Sequence, residues 1–317
     1  MPHTYLVAEP QSVLCGLGVH GSIRPAAAGG DQARFSPAED SGLSLAPGGE
    51  CSRPPAARLS STVNLSPWAY PVLFAAGFSA GLVDSIAGGG GIISLPVLLN
   101  FGLPPQLALG TNKFQSSFGS VAASWHYVRR GLVGLRACRL GILLTLTGAL
   151  LGAYAVQHVA SHVLEKVIPV LLAAIVVYLV FQPQIGLEDR PARLGSTFFY
   201  TLFGLGLGFY DGFFGPGTGS FWAIAFVLLC GYNLTRATAH TKVMNATSNL
   251  ASLALFAAAG LVHLGAGLAM AIGQVLGARL GAGLVVRRGS RFVRPAFLVM
   301  AALTIVRLLW VNLAGRP

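Results

Sequence analysis

The chain has 317 residues, of which 54% are hydrophobic and only 10% charged, and its mean hydropathy is +0.67. A soluble globular domain carries roughly 25% charged residues, so this composition excludes an ordinary water-soluble enzyme and describes a chain that meets lipid over most of its length. The formal net charge of +11 is spread too thinly for nucleic-acid binding and gathers in short loops, as Arg129, Arg130, Arg136 and Arg139 and again as Arg287, Arg288, Arg291 and Arg294, the pattern of loops left on the cytoplasmic side of a membrane.

Residues 1–62 differ from the rest, being rich in Gly, Pro, Ala and Ser. No basic start followed by an apolar run marks a signal peptide there. Such a stretch cannot bury enough apolar surface to offset its ordering entropy. It is expected to be disordered, or else to be an over-extended reading frame whose natural start lies near Val63. Cys15, Cys51, Cys138 and Cys230 show no metal or redox spacing and are expected to be inert.

From there the chain divides into apolar segments at 67–86, 90–103, 107–126, 139–159 and 164–182, then at 195–213, 218–232, 236–257, 261–285 and 294–313. A helix needs about 20 apolar residues to cross a bilayer. The expected fold is therefore an all-α polytopic membrane protein with about five segments in each half, 63–186 and 187–317. The segments at 90–103 and 218–232 are too short for an untilted crossing and are expected to be half-helices or arms of re-entrant hairpins.

The two halves repeat each other. GLVDSIAGGGGIIS around Asp84 answers GFYDGFFGPGTGSF around Asp211, each Asp being followed four residues later by a glycine, Gly88 or Gly215. Thr111-Asn112-Lys113 matches His240-Thr241-Lys242 at an offset of 129, and Gly148/Gly152 matches Gly277/Gly281 at the same offset. From residue 67 onward the acids are Asp84, Glu165, Glu188, Asp189 and Asp211, and the lysines of the whole chain are Lys113, Lys166 and Lys242. That two of the acids and two of the lysines should fall on equivalent positions by chance is hard to accept. Loop charge relates the halves: four arginines follow the third segment, whereas only His263 stands in the equivalent loop of the second half. Equivalent loops on opposite sides require an odd number of crossings per half, hence inverted repeats, a common transporter plan.

Asp84 and Asp211 lie in runs that should enter the bilayer, where a carboxylate costs at least about 2.5 kcal/mol. Each must face a polar cavity, pair with a cation or bind a proton. The glycines behind them, among them Gly88, Gly90, Gly215 and Gly217, can take positive φ and break the helix. A broken helix exposes donors at the N-terminus of its next half, which favour an anion; the other reading is close helix packing, as at Gly148/Gly152 and Gly277/Gly281. Asn112, Ser116 and Ser120 share one helix face, as do Lys242, Asn245 and Asn249. With Gln115 these would line a hydrated path, or bond helix to helix. Lys113 and Lys242 either recognise an anion, pair with the aspartates, or snorkel to the interface. Arg279 is open to the same two uses, snorkelling or a substrate contact, and His126 and His240 are weak candidates for carrying protons.

The runs DSIAGGGG at 84–91, LGTNKFQSS at 109–117 and WHYVRR at 125–130 resemble the TauE/SafE family of bacterial membrane permeases over about 67–314. The resemblance implies that family's fold, a transporter, and a preference for small oxyanions such as sulfite and sulfoacetate. The function expected is a secondary transporter of a small anion in the bacterial cytoplasmic membrane, acting as an exporter and coupled to protons. The expected partners are that anion and the lipid bilayer; a homo-oligomer is allowed, and no nucleic acid, cofactor or metal is expected. An anion channel and a non-transporting assembly protein are the alternatives, while no nucleophile–base spacing supports an enzyme and no G-x-x-x-x-G-K-[ST] run supports ATP drive.

Overall fold

The computed structural model describes residues 65–180 and 188–288. The extension expected over 1–62 and the segment expected over 294–313 lie outside the described residues. Among these residues every regular element is a helix: α1 (Ala69–Ala87), α2 (Gly90–Asn100), α3 (Pro105–Arg129), α4 (Arg139–Gln157), α5 (Ser161–Val180), α6 (Ser196–Phe199), α7 (Leu205–Phe213), α8 (Thr218–Leu229), α9 (Leu234–Ala258) and α10 (Leu264–Arg288). A π-helical turn over Tyr200–Gly204 joins α6 to α7. Local chemistry sets several ends. Pro105 opens α3, where its missing N–H costs nothing, and the Asn233 side chain caps α9 by accepting from the Arg236 N–H at 2.9 Å.

The two short segments are returning arms. The Trp68 ring, just before α1, lies 5.5 Å from the Phe101 ring, just after α2, so α2 doubles back along α1. In the second hairpin the Leu229 carbonyl at the end of α8 accepts from Arg193 N–H at 2.8 Å and Leu194 N–H at 3.2 Å, immediately before α6. The arms prove shorter than expected, 11 residues in α2 and 12 in α8. The tips of the hairpins meet: a Cβ on Gly88 would overlap the Gly219 backbone, and one on Gly91 would lie 3.1 Å from Pro216 Cα.

Long helices clamp the hairpins through small residues. Gly77 and Gly81 of α1 sit on Met270 and Gln274 of α10, while Gly273 and Gly277 of α10 sit on Phe74 and Phe78 of α1. The rising numbers on both sides make α1 and α10 parallel. Gly148 and Gly152 of α4 pack in the same way on Leu205 and Phe209 of α7. Gly281 of α10 sits on Leu82 and Ser85 of α1, so the close-packing reading holds for Gly148/Gly152 and for Gly277/Gly281. The apolar side chains point outward instead: Leu268, Ile272, Leu276 and Leu280 form an exposed stripe along α10. Small residues inward and large apolar residues outward is the pattern of helices packed in lipid. The segments Ala69–Ile86, Arg139–Gln157 and Leu264–Arg288 are long and apolar enough to cross a membrane.

Because Gly110 and Gly119 of α3 meet Leu261 and Gln274 in that order, α3 runs parallel to α10. Arg129 and Arg130 at the end of α3 and Arg287 and Arg288 at the end of α10 thus share one end of the bundle.

A packing prediction arises here. A Cβ on Gly277 would collide with the Phe78–Leu82 backbone, whereas one on Gly283, in the same helix, meets nothing within 4 Å. Gly277→Ala should cost about 1–3 kcal/mol through overpacking, and Gly283→Ala should leave stability unchanged or raise it by up to about 1 kcal/mol. Thermal unfolding of the two variants in one detergent checks the difference.

The apolar core is divided in two. One cluster joins Leu73, Leu95, Leu107, Ala153, Phe214, Phe256 and Met270; the other joins Ile86, Tyr127, Tyr200, Trp222, Val243, Met244 and Val285. Helix α3 passes from the first cluster at Leu107 to the second at Ala123, and its polar residues Asn112, Lys113, Ser116 and Ser120 lie between. Helix α9 does the same in the opposite direction, with Asn245, Ser248 and Asn249 between Met244 and Phe256. A polar layer is thereby held between two apolar ones.

Candidate functional site

The polar layer is built where the hairpin tips meet α3 and α9. Gly88 ends α1 with φ of 80°, and Gly217 precedes α8 with φ of 81°, while Gly215 has φ of 97°. Side chains with a Cβ rarely adopt this conformation, so the breaks expected behind each aspartate occur at these residues.

Each aspartate pairs with the lysine of the other half. Lys113 Nζ lies 2.7 Å from Asp211 Oδ1, and Lys242 Nζ lies 2.9 Å from Asp84 Oδ2. Both lysine side chains are buried, at 1% and 0% exposure. That excludes the snorkelling reading, because neither ammonium reaches the surface of the bundle. A carboxylate in such a place would otherwise carry a heavy desolvation cost, and the cross-pairing offsets it.

The two pairs are served differently. Asp211 also accepts from the Ser248 hydroxyl, and Lys113 also donates to Asn249 Oδ1 at 3.3 Å. The Asp211 side chain is 5% exposed. Asp84 has, among the described residues, one further hydrogen bond, from the Gly90 N–H at 3.4 Å, and its side chain is 15% exposed. Between the pairs is a cleft bounded by Asp84, Gly88, Asn112, Lys113, Asp211, Gly215, Asn245 and Asn249, with Gly91, Ser116 and Gly219 completing its wall. Its free space is about 20 Å³, enough for about one water.

Other expected residues fall outside the wall. Gln115 does not face the cleft; its amide donates to Asn112 Oδ1 at 2.9 Å and Ser116 Oγ at 3.0 Å, and so orients two residues that do. Gly90 and Gly217 likewise leave the wall to their neighbours: Gly90 turns its N–H towards Asp84, and Gly217 makes the left-handed turn into α8. Lys242 reaches the cleft through Asp84. Arg279 is exposed on α10 and takes no part in the wall. His240 is buried between aromatic rings, 4.7 Å from Tyr232 and 5.5 Å from Phe226, with its Nδ1 2.9 Å from the Arg236 carbonyl.

Three polar residues in or beside this layer escape a reading of the sequence. Ser94 of α2 donates to Asn112 Oδ1 at 2.5 Å, Tyr127 donates to the Ser85 carbonyl at 2.9 Å, and Gln274 is 1% exposed with its Oε1 lacking a hydrogen-bond partner. A signal existed for the last: Gln274 stands 129 residues after Thr145, which is also buried. Among the described residues no three His, Cys, Asp or Glu side chains gather as metal ligands would.

Comparison with known proteins accords with this architecture. A probable membrane transporter protein, YfcA, of Escherichia coli K12 is 43% identical over 251 residues, covering 79% of this chain and 93% of the relative. A probable membrane transporter protein of Haemophilus influenzae is 44% identical over 239 residues, covering 75% of this chain and 94% of the relative. A sulfite exporter TauE/SafE family protein of Arabidopsis thaliana is 32% identical over 111 residues, 35% of this chain and 25% of the relative. No solved structure matches the chain. Residues 73–308, which hold both hairpins and the cleft between them, match the family model described as sulfite exporter TauE/SafE, and the chain belongs to that family of membrane transporters.

Proposed function

We propose that the chain is a secondary transporter of a small anion such as sulfite, a sulfonate or a related oxyanion. It resides in the bacterial cytoplasmic membrane, works as a proton-coupled exporter, and catalyses no reaction. The observation that carries this reading is the pair of buried lysines, each held by the aspartate of the other half, beside a cleft walled by Asn112, Asn245 and Asn249 between two glycine-broken hairpins. Lys113 and Lys242 supply positive charge, and the amides supply hydrogen bonds to oxyanion oxygens. The family model's description as a sulfite exporter supports both the anion class and the outward direction.

The halves 63–186 and 187–317 act as inverted repeats in this reading, each lending its hairpin to the other's lysine. The exchange of partners supports it: α1 packs on α10 as α7 packs on α4, and Asp84 pairs with Lys242 as Asp211 pairs with Lys113. A cleft with only about 20 Å³ of free space favours a carrier that must rearrange over a standing anion channel.

The test is flux in proteoliposomes, using sulfite, sulfonates and short carboxylates with an imposed pH gradient. Uphill accumulation separates the carrier from a channel, and an assembly protein moves none of these anions. Asp84→Asn and Asp211→Asn should each abolish proton-driven accumulation; transport unchanged in both variants would remove the coupling.

A further inference from the structure

Given the transporter reading above, on which this rests, we propose that the two ion pairs have unequal duties. A monovalent anion enters by replacing the Asp84 carboxylate on Lys242 while Asp84 takes up one proton, and the Asp211–Lys113 pair stays intact. Charge counting leads there first. Lys113, Lys242, Asp84 and Asp211 are two cations and two anions held together by their pairing, so the site is neutral before any substrate arrives. An added anion would be an uncompensated charge in a water-poor interior, where such charges cost several kcal/mol each. Neutrality is restored when one carboxylate is protonated: the new O–H bond removes one negative charge, the anion supplies one, and both lysines remain cationic.

Geometry selects which carboxylate. Asp211 has three restraints, since Lys113 and Ser248 hold its two oxygens and Asn249 steadies Lys113. Asp84 is held by Lys242 at 2.9 Å and by one long contact from the Gly90 N–H at 3.4 Å, and more of it is exposed, 15% against 5%. The lysines differ in the same sense. An ammonium has three donors; Lys113 uses two, whereas Asp84 is the acceptor found for Lys242 among the described residues. Lys242 thus has donors left for the several oxygens of an oxyanion. One turn further along α9, Asn245 faces the cleft with its Oδ1 buried and lacking a partner, an acceptor for the proton of a neutral carboxyl or of a hydrogen-bearing oxyanion.

The groups around Asp84 are few. Lys242 comes from α9, Lys113 and the Tyr127 phenol from α3, and Asp211 from α7 across the cleft. Helices α2 and α8 contain no titratable side chain, and the arginines of α10 are exposed. Asp84 is therefore the group whose protonation releases Lys242. The carrier moves one proton with each monovalent anion, the cycle carries no net charge, and it runs as an exporter wherever the outward gradient of the anion exceeds the opposing proton gradient.

Proteoliposomes loaded with methanesulfonate, which remains a monoanion at every pH used, test this alongside sulfite. Wild-type uptake of methanesulfonate should rise with an inward proton gradient and ignore a potassium–valinomycin potential. In Asp84→Asn, counterflow should lose its pH dependence and any net flux should respond to the potential, a change that a purely structural role for Asp84 would not produce. Asp211→Asn should lose counterflow at every pH. If Asp84→Asn fails to insert, Asp84→Glu, which keeps a titrating carboxyl, should remain electroneutral. Potential-dependent flux in the wild type or in Asp84→Glu would overturn the assignment, as would pH-driven, potential-independent accumulation by Asp84→Asn. Absence of wild-type flux for both anions would instead overturn the transporter reading itself.

Discussion

Replacing Lys113 by Met should cost the folded protein about 3–5 kcal/mol, and adding Asp211→Leu to that variant should recover most of the loss. Lys113 is 1% exposed and its ammonium lies 2.7 Å from a carboxylate that is itself 5% exposed. Removing the cation alone strands a buried negative charge whose remaining hydrogen bond, among the described residues, comes from the Ser248 hydroxyl. Removing both leaves an apolar contact of similar volume, which cores tolerate well. A double-mutant cycle on thermal or denaturant unfolding in detergent measures the coupling directly. The same double variant separates folding from function, because it should fold and still transport nothing. The corresponding change at the other pair, Lys242→Met, should cost less, since Asp84 is 15% exposed and keeps more contact with water. A smaller loss at Lys113 than at Lys242 would reverse the order of the two pairs.

The fold was largely legible in the sequence because the bilayer imposes a length on every segment. The runs at 139–159 and 261–285 match α4 (Arg139–Gln157) and α10 (Leu264–Arg288) within three residues at each end. The short segments and the glycines after Asp84 and Asp211 were legible too, since a helix break needs residues that tolerate positive φ, and Gly88, Gly215 and Gly217 adopt it. What was not legible is the choice of partner. Asp84 precedes Lys113 by 29 residues and Asp211 precedes Lys242 by 31, so pairing within each half looks as natural on paper as pairing between halves. Only the packing of α9 against the first hairpin brings Lys242 to Asp84. Gln115 is placed one step back from the cleft for a related reason. It belongs to a polar run in α3, but helical geometry turns it behind Asn112 and Ser116. Gln274 stayed hidden because a single amide in an apolar run has no periodic pattern to declare which way it faces.

The contact between the hairpin tips gives the other large effect, and three glycines resolve its causes. Gly88 and Gly102 both have φ of 80°, and a Cβ on Gly102 meets nothing within 4 Å. Gly102→Ala therefore bears the backbone strain alone, about 1–2 kcal/mol. Gly219 lies in α8 without positive φ, but a Cβ there would press on Gly88 Cα, the Gly88 carbonyl oxygen at 2.7 Å and Asn245 Nδ2 at 2.8 Å. Gly219→Ala bears the collision alone, about 1–3 kcal/mol. Gly88→Ala bears both, because its Cβ would overlap the Gly219 backbone and approach Ser220 N at 2.8 Å. Its loss of stability should approach the sum of the other two. Flux should follow a different order. Gly102 is not part of the cleft wall, so Gly102→Ala should transport at a rate close to wild type. Both tip variants should lose transport, because a wedge between Gly88 and Gly219 shifts Asp84 on one side and Asn245 on the other. Equal losses of stability in Gly88→Ala and Gly102→Ala, with normal flux in Gly219→Ala, would mean that the tips are not in contact and that the cleft is closed by something else.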